Sequence, residues 1–128
     1  MKSLLIVAHG SRRETSNQEV AALTRVVMQR TDTTFDLVEY AFLEIAEPSI
    51  GDGLRKCIAA GACEIVVFPY FLAAGRHVVA DIPNDVAPVQ AEHPDVAITI
   101  APHLGESALL VDAILGLSGR AEVSKAHG

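Results

Sequence analysis

The sequence predicts an α/β protein: a three-layer α/β/α arrangement around a four-stranded parallel sheet in the order 2-1-3-4. Three observations predict it. Apolar runs rich in β-branched and aromatic residues alternate four times with stretches of helical apolar spacing, the pattern of strand–helix units that build a parallel sheet. The run Val66-Val67-Phe68 is unbroken, as expected of a strand covered on both faces. The chain has 128 residues, 50% hydrophobic and 20% charged, which is long enough to bury a core and too apolar for disorder. Right-handed crossovers leave few orders for four such strands, and 2-1-3-4 is the simplest. The length predicts one domain over 1–128, with its core at about 2–117 and a frayed tail at 118–128, where Gly, Ser and Lys dilute the pattern.

Taken in order, Leu4 to Ala8 is strand one and runs straight into the loop His9-Gly10-Ser11-Arg12. Ser16-Asn17-Gln18-Glu19 has the form of a capping box, and Val20, Leu23 and Val27 then share one helix face that fades near Thr31. Thr34 to Leu43 is strand two, ending in Glu44. Pro48 suits the start of a second helix, whose stripe is Ile50, Leu54, Cys57 and Ile58 and whose stop is Gly61. Strand three is Glu64 to about Phe71; Pro69 cannot donate to a ladder, so regular pairing weakens there. A small-residue loop follows and delivers Arg76 and His77. Pro83 and Pro88 interrupt the next helical pattern, which predicts a helix that is kinked or begins near Asp81. Val96 to Ala101 is strand four, and Glu106 to Leu117 the last helix.

Composition narrows the function classes. A net charge of −6 argues against a general nucleic-acid or anionic-membrane surface. No apolar run approaches a membrane span, and the segment after Met1 is too short for a signal peptide, so a cytoplasmic protein is expected. Cys57 and Cys63 form no C-x-x-C and read as plain buried thiols.

Strand order turns three distant residues into neighbours. Strands one and three lie side by side, so the switch point of the sheet falls between them, where open α/β sheets keep their ligands. His9 ends strand one, Glu44 ends strand two and His77 follows strand three. Two imidazoles and a carboxylate on one rim match a divalent transition metal. His103 follows strand four on the same rim; an outer role or none is expected, because its strand is an edge strand. His93 lies at the opposite end and His127 in the tail. Two rival chemistries fit less well. His9-Gly10 superficially matches the Arg-His-Gly of histidine phosphatases, but residue 8 is Ala, so the phosphate-holding Arg is missing. Gly10-Ser11-Arg12 could bind an anion at a helix N-terminus, yet the chain has neither G-x-G-x-x-G nor a P-loop, and no G-x-S-x-G elbow marks a serine hydrolase.

Ala8-His9-Gly10-Ser11-Arg12, Phe42-Leu43-Glu44 with Pro48-Ser49-Ile50, and Pro69-Tyr70-Phe71-Leu72 leading to Gly75-Arg76-His77-Val78 and Asp81-Ile82-Pro83 together resemble the short sirohydrochlorin chelatases. These insert Co2+ or Fe2+, and in some relatives Ni2+, into a modified tetrapyrrole. The match covers about 2–117. The resemblance implies the chelatase-like fold, with His9 and His77 as the metal-binding and proton-accepting pair and Glu44 assisting. It implies sirohydrochlorin as substrate, a divalent metal as second substrate and no organic cofactor. Longer relatives carry two such domains facing one cleft, so for this chain the resemblance implies a homodimer. Gly105-Glu106-Ser107-Ala108 departs from the Gly-x-His-Pro expected of relatives, and no metal role carries over to that loop.

The residues suit the chemistry. A neutral imidazole can ligate a divalent ion or accept a proton, and a neighbouring carboxylate can favour the cation and orient a ring. Without cysteine ligands the site does not grip metal as structural zinc sites do. The substrate carries many carboxylates, and Arg12, Arg13 and Arg76 near the rim suit them through paired hydrogen bonds. Gly10, Ser11 and Tyr70, in the same motifs, are assigned with Arg12 and Arg76 to substrate binding. A carrier that only stores metal or tetrapyrrole is the alternative of a different class. It would bind stoichiometrically without turnover.

Overall fold

The structure, a computed structural model, describes residues 1–30, 34–73 and 75–123, and of 76–79 the backbone only. Four strands, β1 (Lys2–Ala8), β2 (Leu37–Phe42), β3 (Glu64–Pro69) and β4 (Ala97–Ile100), alternate with α1 (Glu14–Gln29), α2 (Ile50–Ala59), α3 (Arg76–Glu92) and α4 (Leu109–Ser118). The sheet order is β2-β1-β3-β4 and every pairing is parallel, as the sequence predicts. Register sets the level of the rim. Ala8 faces Phe42 across one side of β1, and Val7 faces Pro69 across the other. The residues that leave β1, β2 and β3 therefore emerge side by side.

Alternation along the strands divides the core. Leu5, Val7, Ile65 and Val67 are fully buried against Leu54 and Cys57 of α2 and Val86 and Val89 of α3. On the opposite face α1 contributes Val20, which packs with Ala8 and Phe42. That second layer covers only part of its side: Val66 and Phe68 of β3 are half-buried there, and Ala97 and Thr99 of β4 are exposed.

The structure corrects several boundaries. Helix α1 begins at Glu14, and its N-cap Arg13 makes no side-chain cap bond, so Ser16 and Glu19 do not form a capping box. Its start is tied upstream: the Asn17 side chain accepts from the Ser11 N–H at 3.0 Å and donates to the Ser11 carbonyl at 2.8 Å. The helix ends at Gln29; the end expected near Thr31 lies outside the described residues. Strand β2 begins at Leu37, three residues later than its apolar pattern. Helix α3 begins at Arg76 and runs through both Pro83 and Pro88. Each proline removes one N–H bond, but Ile82, Val86 and Val89 anchor the buried face and hold the helix together. The last helical stretch is split. A 3-10 turn spans Leu104–Glu106, and the Ser107 hydroxyl accepts from the Leu109 N–H at 3.2 Å where α4 begins. Both cysteines are free, Cys57 buried and Cys63 exposed, which corrects the expectation of two buried thiols. The tail expected to fray at 118–128 is described as far as 123, and 124–128 lie outside the described residues. Among the described residues no helix is long and apolar enough to cross a membrane.

Candidate functional site

The rim at the carboxyl ends of β1, β2 and β3 is built by continuing the sheet pairing into the loops. The Leu43 N–H donates to the Ala8 carbonyl at 2.9 Å, and the next donor, the Glu44 N–H, reaches the His9 carbonyl at 3.1 Å. His9 and Glu44, 35 positions apart in sequence, are thus backbone neighbours, and both are exposed at the rim. Gly10 makes this possible. Its φ of +95° lies in the region that favours glycine, and a Cβ at this position would run into the Glu44 carbonyl oxygen. Beyond Glu44 the chain turns at once: Ile45 has φ 70°, and the Ala46 N–H returns to the Glu44 carbonyl at 2.7 Å. A β-branched residue in the left-handed region is strained, so the carboxylate sits on a tight, imposed turn.

The other side of His9 is an aromatic wall. The Tyr70 N–H bonds the Val7 carbonyl at 2.8 Å, extending the β1–β3 ladder past Pro69. This places Phe71, only 5% exposed, beside the imidazole of His9. The two rings meet edge to face with centroids 4.6 Å apart and planes at 63°. The Phe71 carbonyl accepts from the Gly105 N–H at 2.9 Å, so the turn after β4 is pinned onto the loop after β3. In that turn His103 Nδ1 stands 3.4 Å from Glu106 Oε2, a partner that leaves the opposite ring nitrogen facing elsewhere.

The predicted site residues fare as follows. His9 and Glu44 come together. Arg76 and His77 form the first turn of α3, behind the N-cap Gly75, rather than part of a loop; their side chains lie outside the described residues, and so does the expected ligation by His77. Ser11 is engaged locally, its N–H on Asn17 and its hydroxyl accepting from the Arg13 N–H at 3.0 Å. Arg12 is exposed and lines a groove of about 510 Å³ with Asn17, Tyr40, Phe42 and Glu47, on the α1–β2 flank of the rim. Tyr70 is 37% exposed beside the buried Phe71. Among the described residues no group of three or more His, Cys, Asp and Glu side chains could hold a metal ion. Two groups of shifted acidity sit outside the rim. Burial, helped by Glu39, pushes the Cys57 thiol up to about 11, and burial with the neighbouring Asp81 raises Asp85 on α3.

Phe71 is the residue that sequence reasoning missed. Its signal was present: a large aromatic directly after the last paired residue of strand three, level with His9 once the order 2-1-3 is accepted. What the described rim offers chemically is an exposed imidazole of fixed orientation next to a carboxylate, open to a large ligand. Such a pair can take up protons and attract a cation.

Comparison with known proteins gives the same picture. A family model described as CbiX matches residues 3–119. The chain is 38% identical over 111 residues to the chloroplastic sirohydrochlorin ferrochelatase of Arabidopsis thaliana, covering 87% of this chain and 48% of that protein. It is 37% identical over 114 residues to the sirohydrochlorin cobaltochelatase of Sulfolobus acidocaldarius, covering 89% of this chain and 87% of that one. Among solved structures, the sirohydrochlorin chelatase SirB from Bacillus subtilis subspecies spizizenii in complex with cobalt superposes with a TM-score of 0.82 at 29% identity, over 93% of this chain and 50% of that chain. The chain thus spans about half the length of the plant and Bacillus proteins.

Proposed function

Because the chain belongs to the CbiX family, we propose that it is a sirohydrochlorin chelatase, inserting Co2+ or Fe2+ into the tetrapyrrole. The observation that carries this reading is the pairing of His9 with Glu44 at the switch point of the sheet, beside the first turn of α3 that bears Arg76 and His77. The family's relatives named as ferrochelatase and cobaltochelatase support the same chemistry.

In this reading the metal is a substrate and no organic cofactor takes part. Insertion replaces two N–H protons of the macrocycle by one divalent ion and releases two protons. His9 and His77 hold the ion in an open site and accept protons as it leaves for the four nitrogens; Glu44 favours the cation and relays a proton outward. Arg12 and Arg76 answer the macrocycle's carboxylates, which a protein of net charge −6 otherwise repels. Gly10 and Ser11 shape the loop under the ligand, and Tyr70 offers a flat apolar surface. The 1–128 span works as one chelatase-like domain, paired in a cytoplasmic homodimer without nucleic-acid or membrane partners.

An absorbance assay with sirohydrochlorin and Co2+, Fe2+ or Ni2+ in turn tests the proposal. Metallated product is expected in repeated turnovers with Co2+ or Fe2+. Product that stops at one equivalent per protein would make the chain a carrier, and a rate above background only with Ni2+ would reassign the metal.

A further inference from the structure

Helix α4 has an unusual composition for its surroundings. Its sequence, LLVDAILGLS, is apolar all round the helix with Asp112 as the one ionisable residue, and none of its residues is buried. Leu109, Val111, Ile114, Leu115 and Leu117 each expose between 59% and 73% of their surface. A helix apolar on every side is normally a buried one. Five such side chains present on the order of 500 Å², near the upper end of what a monomer exposes in one patch and a large share of the roughly 800 Å² per partner of a standard interface.

The same chain holds the complementary defect. Parallel sheets are covered on both faces, yet beside α1 the face formed by Val66, Phe68, Ala97 and Thr99 carries no helix among the described residues; Val66 pairs with Thr99 across β3 and β4. One helix lacks a sheet and one sheet face lacks a helix. The turn between them keeps α4 away from its own sheet: Gly105 is bonded to the Phe71 carbonyl, its Cα abuts the Leu72 carbonyl so closely that no Cβ fits, and Ser107 caps the new helix.

We infer that α4 of one copy covers the β3–β4 face of a second copy, and the reverse, in a two-fold exchange. This deepens the homodimer of the proposed function and rests on it. The exchange is self-complementary and closes, as an isologous pair must. Charge points to the same occupant. Two copies of net charge −6 repel over most of their surface, whereas this helix and this face bring almost no charge together.

The test uses the intact chain at micromolar concentration, without tetrapyrrole, so its outcome is independent of whether insertion activity is found. Sedimentation should give twice the 13.6 kDa chain mass, and I114D/L117D should give the single mass with an unchanged far-ultraviolet circular dichroism spectrum. In a Cys63→Ser background, Thr99→Cys protein mixed with Leu115→Cys protein should form a disulfide between the two different chains on mild oxidation. A monomeric parent chain, or a dimer that survives I114D/L117D, would overturn the inference. So would a T99C/L115C double variant that closes its disulfide only within one chain, which would show α4 folding back on its own sheet. An unchanged dimer after deletion of residues 120–128, together with loss of the dimer in I114D/L117D, assigns the contact to α4 rather than to the tail; loss of the dimer on that deletion would assign it to the tail and overturn the exchange.

Discussion

The imidazole of His9 stands edge-on to the ring of Phe71, with 4.6 Å between centroids. One ring is exposed and the other buried, so the orientation of a rim residue is set by the core. Aromatic pairs of this kind contribute about 0.5–1.5 kcal/mol beyond area burial. Phe71→Leu retains most of the apolar volume and is expected to change stability by less than about 1.5 kcal/mol while lowering the insertion rate about tenfold, equivalent to 1.4 kcal/mol in the barrier. Phe71→Ala also opens a cavity and should cost about 3–5 kcal/mol. Urea midpoints and initial rates measured on the two variants separate the effects. A Leu variant with full activity would show that His9 needs no aromatic wall.

Gly10 holds the other side of His9. Alanine there meets the Glu44 carbonyl oxygen and must also adopt φ +95°, so the β1 and β2 loops have to part. A loss of roughly 1–3 kcal/mol in stability is expected from the backbone conformation, together with a lower insertion rate. Denaturant titration of Gly10→Ala checks the first, and the absorbance assay the second.

His9 and His77 are expected to be required separately. His9 is exposed at the rim and His77 lies in the first turn of α3, so neither substitution by Ala removes a core contact of β1 or β3. Each should cut the insertion rate by roughly 10²–10⁴, the range of a lost acid–base group, with little change in melting temperature. Near-normal turnover in a folded His77→Ala protein would remove that residue from the site.

Most of this rim was legible in the chain because sheet order follows from few rules. Once four strand–helix units are recognised, handedness places His9, Glu44 and the loop after Pro69 on one edge without any contact being known. The start of α1 was not legible, because Asn17 reaches back to Ser11, and a side chain bridging two loop positions leaves no periodic trace. The prolines misled for a related reason: local rules stop α3 at Pro83, but the burial of Ile82, Val86 and Val89 outweighs two missing bonds. The pairing of Phe71 with His9 needed the register of β1 against β3, which apolar patterning does not specify to one residue.

The buried thiol of Cys57 makes stability depend on alkaline pH. Burial raises it from 9.0 to about 11, with Glu39 adding to the effect. An acid whose folded-state value is raised keeps its proton longer in the native chain than in the unfolded one. Its contribution is complete below about pH 9 and declines as pH rises towards 11. Over that window the slope should reduce stability by roughly 2–3 kcal/mol. Other groups also titrate there, so the measurement is the difference in urea midpoint between the parent chain and Cys57→Ala from pH 8 to 11. The gap should narrow as pH rises; a constant gap would mean that the thiol has an ordinary acidity in the fold.

Gly105 joins the last loop to the site without contributing a side chain. Its N–H donates to the Phe71 carbonyl at 2.9 Å, and its Cα abuts the Leu72 carbonyl, where a Cβ cannot fit. Alanine at this position has to push the β4 loop away from the β3 loop. The carbonyl of Phe71 then loses its partner, at a cost of about 1–3 kcal/mol if it remains buried, and the ring loses the strut that holds it against His9. Gly105→Ala is therefore expected to reproduce the activity loss of Phe71→Leu although residue 105 lies far from it in sequence. The double variant G105A/F71L decides whether the route is shared. If Gly105 acts through Phe71, the two losses should fall well short of multiplying, because neighbours in one network do not add. Fully multiplicative losses would mean that the β4 loop acts on the reaction by a path of its own.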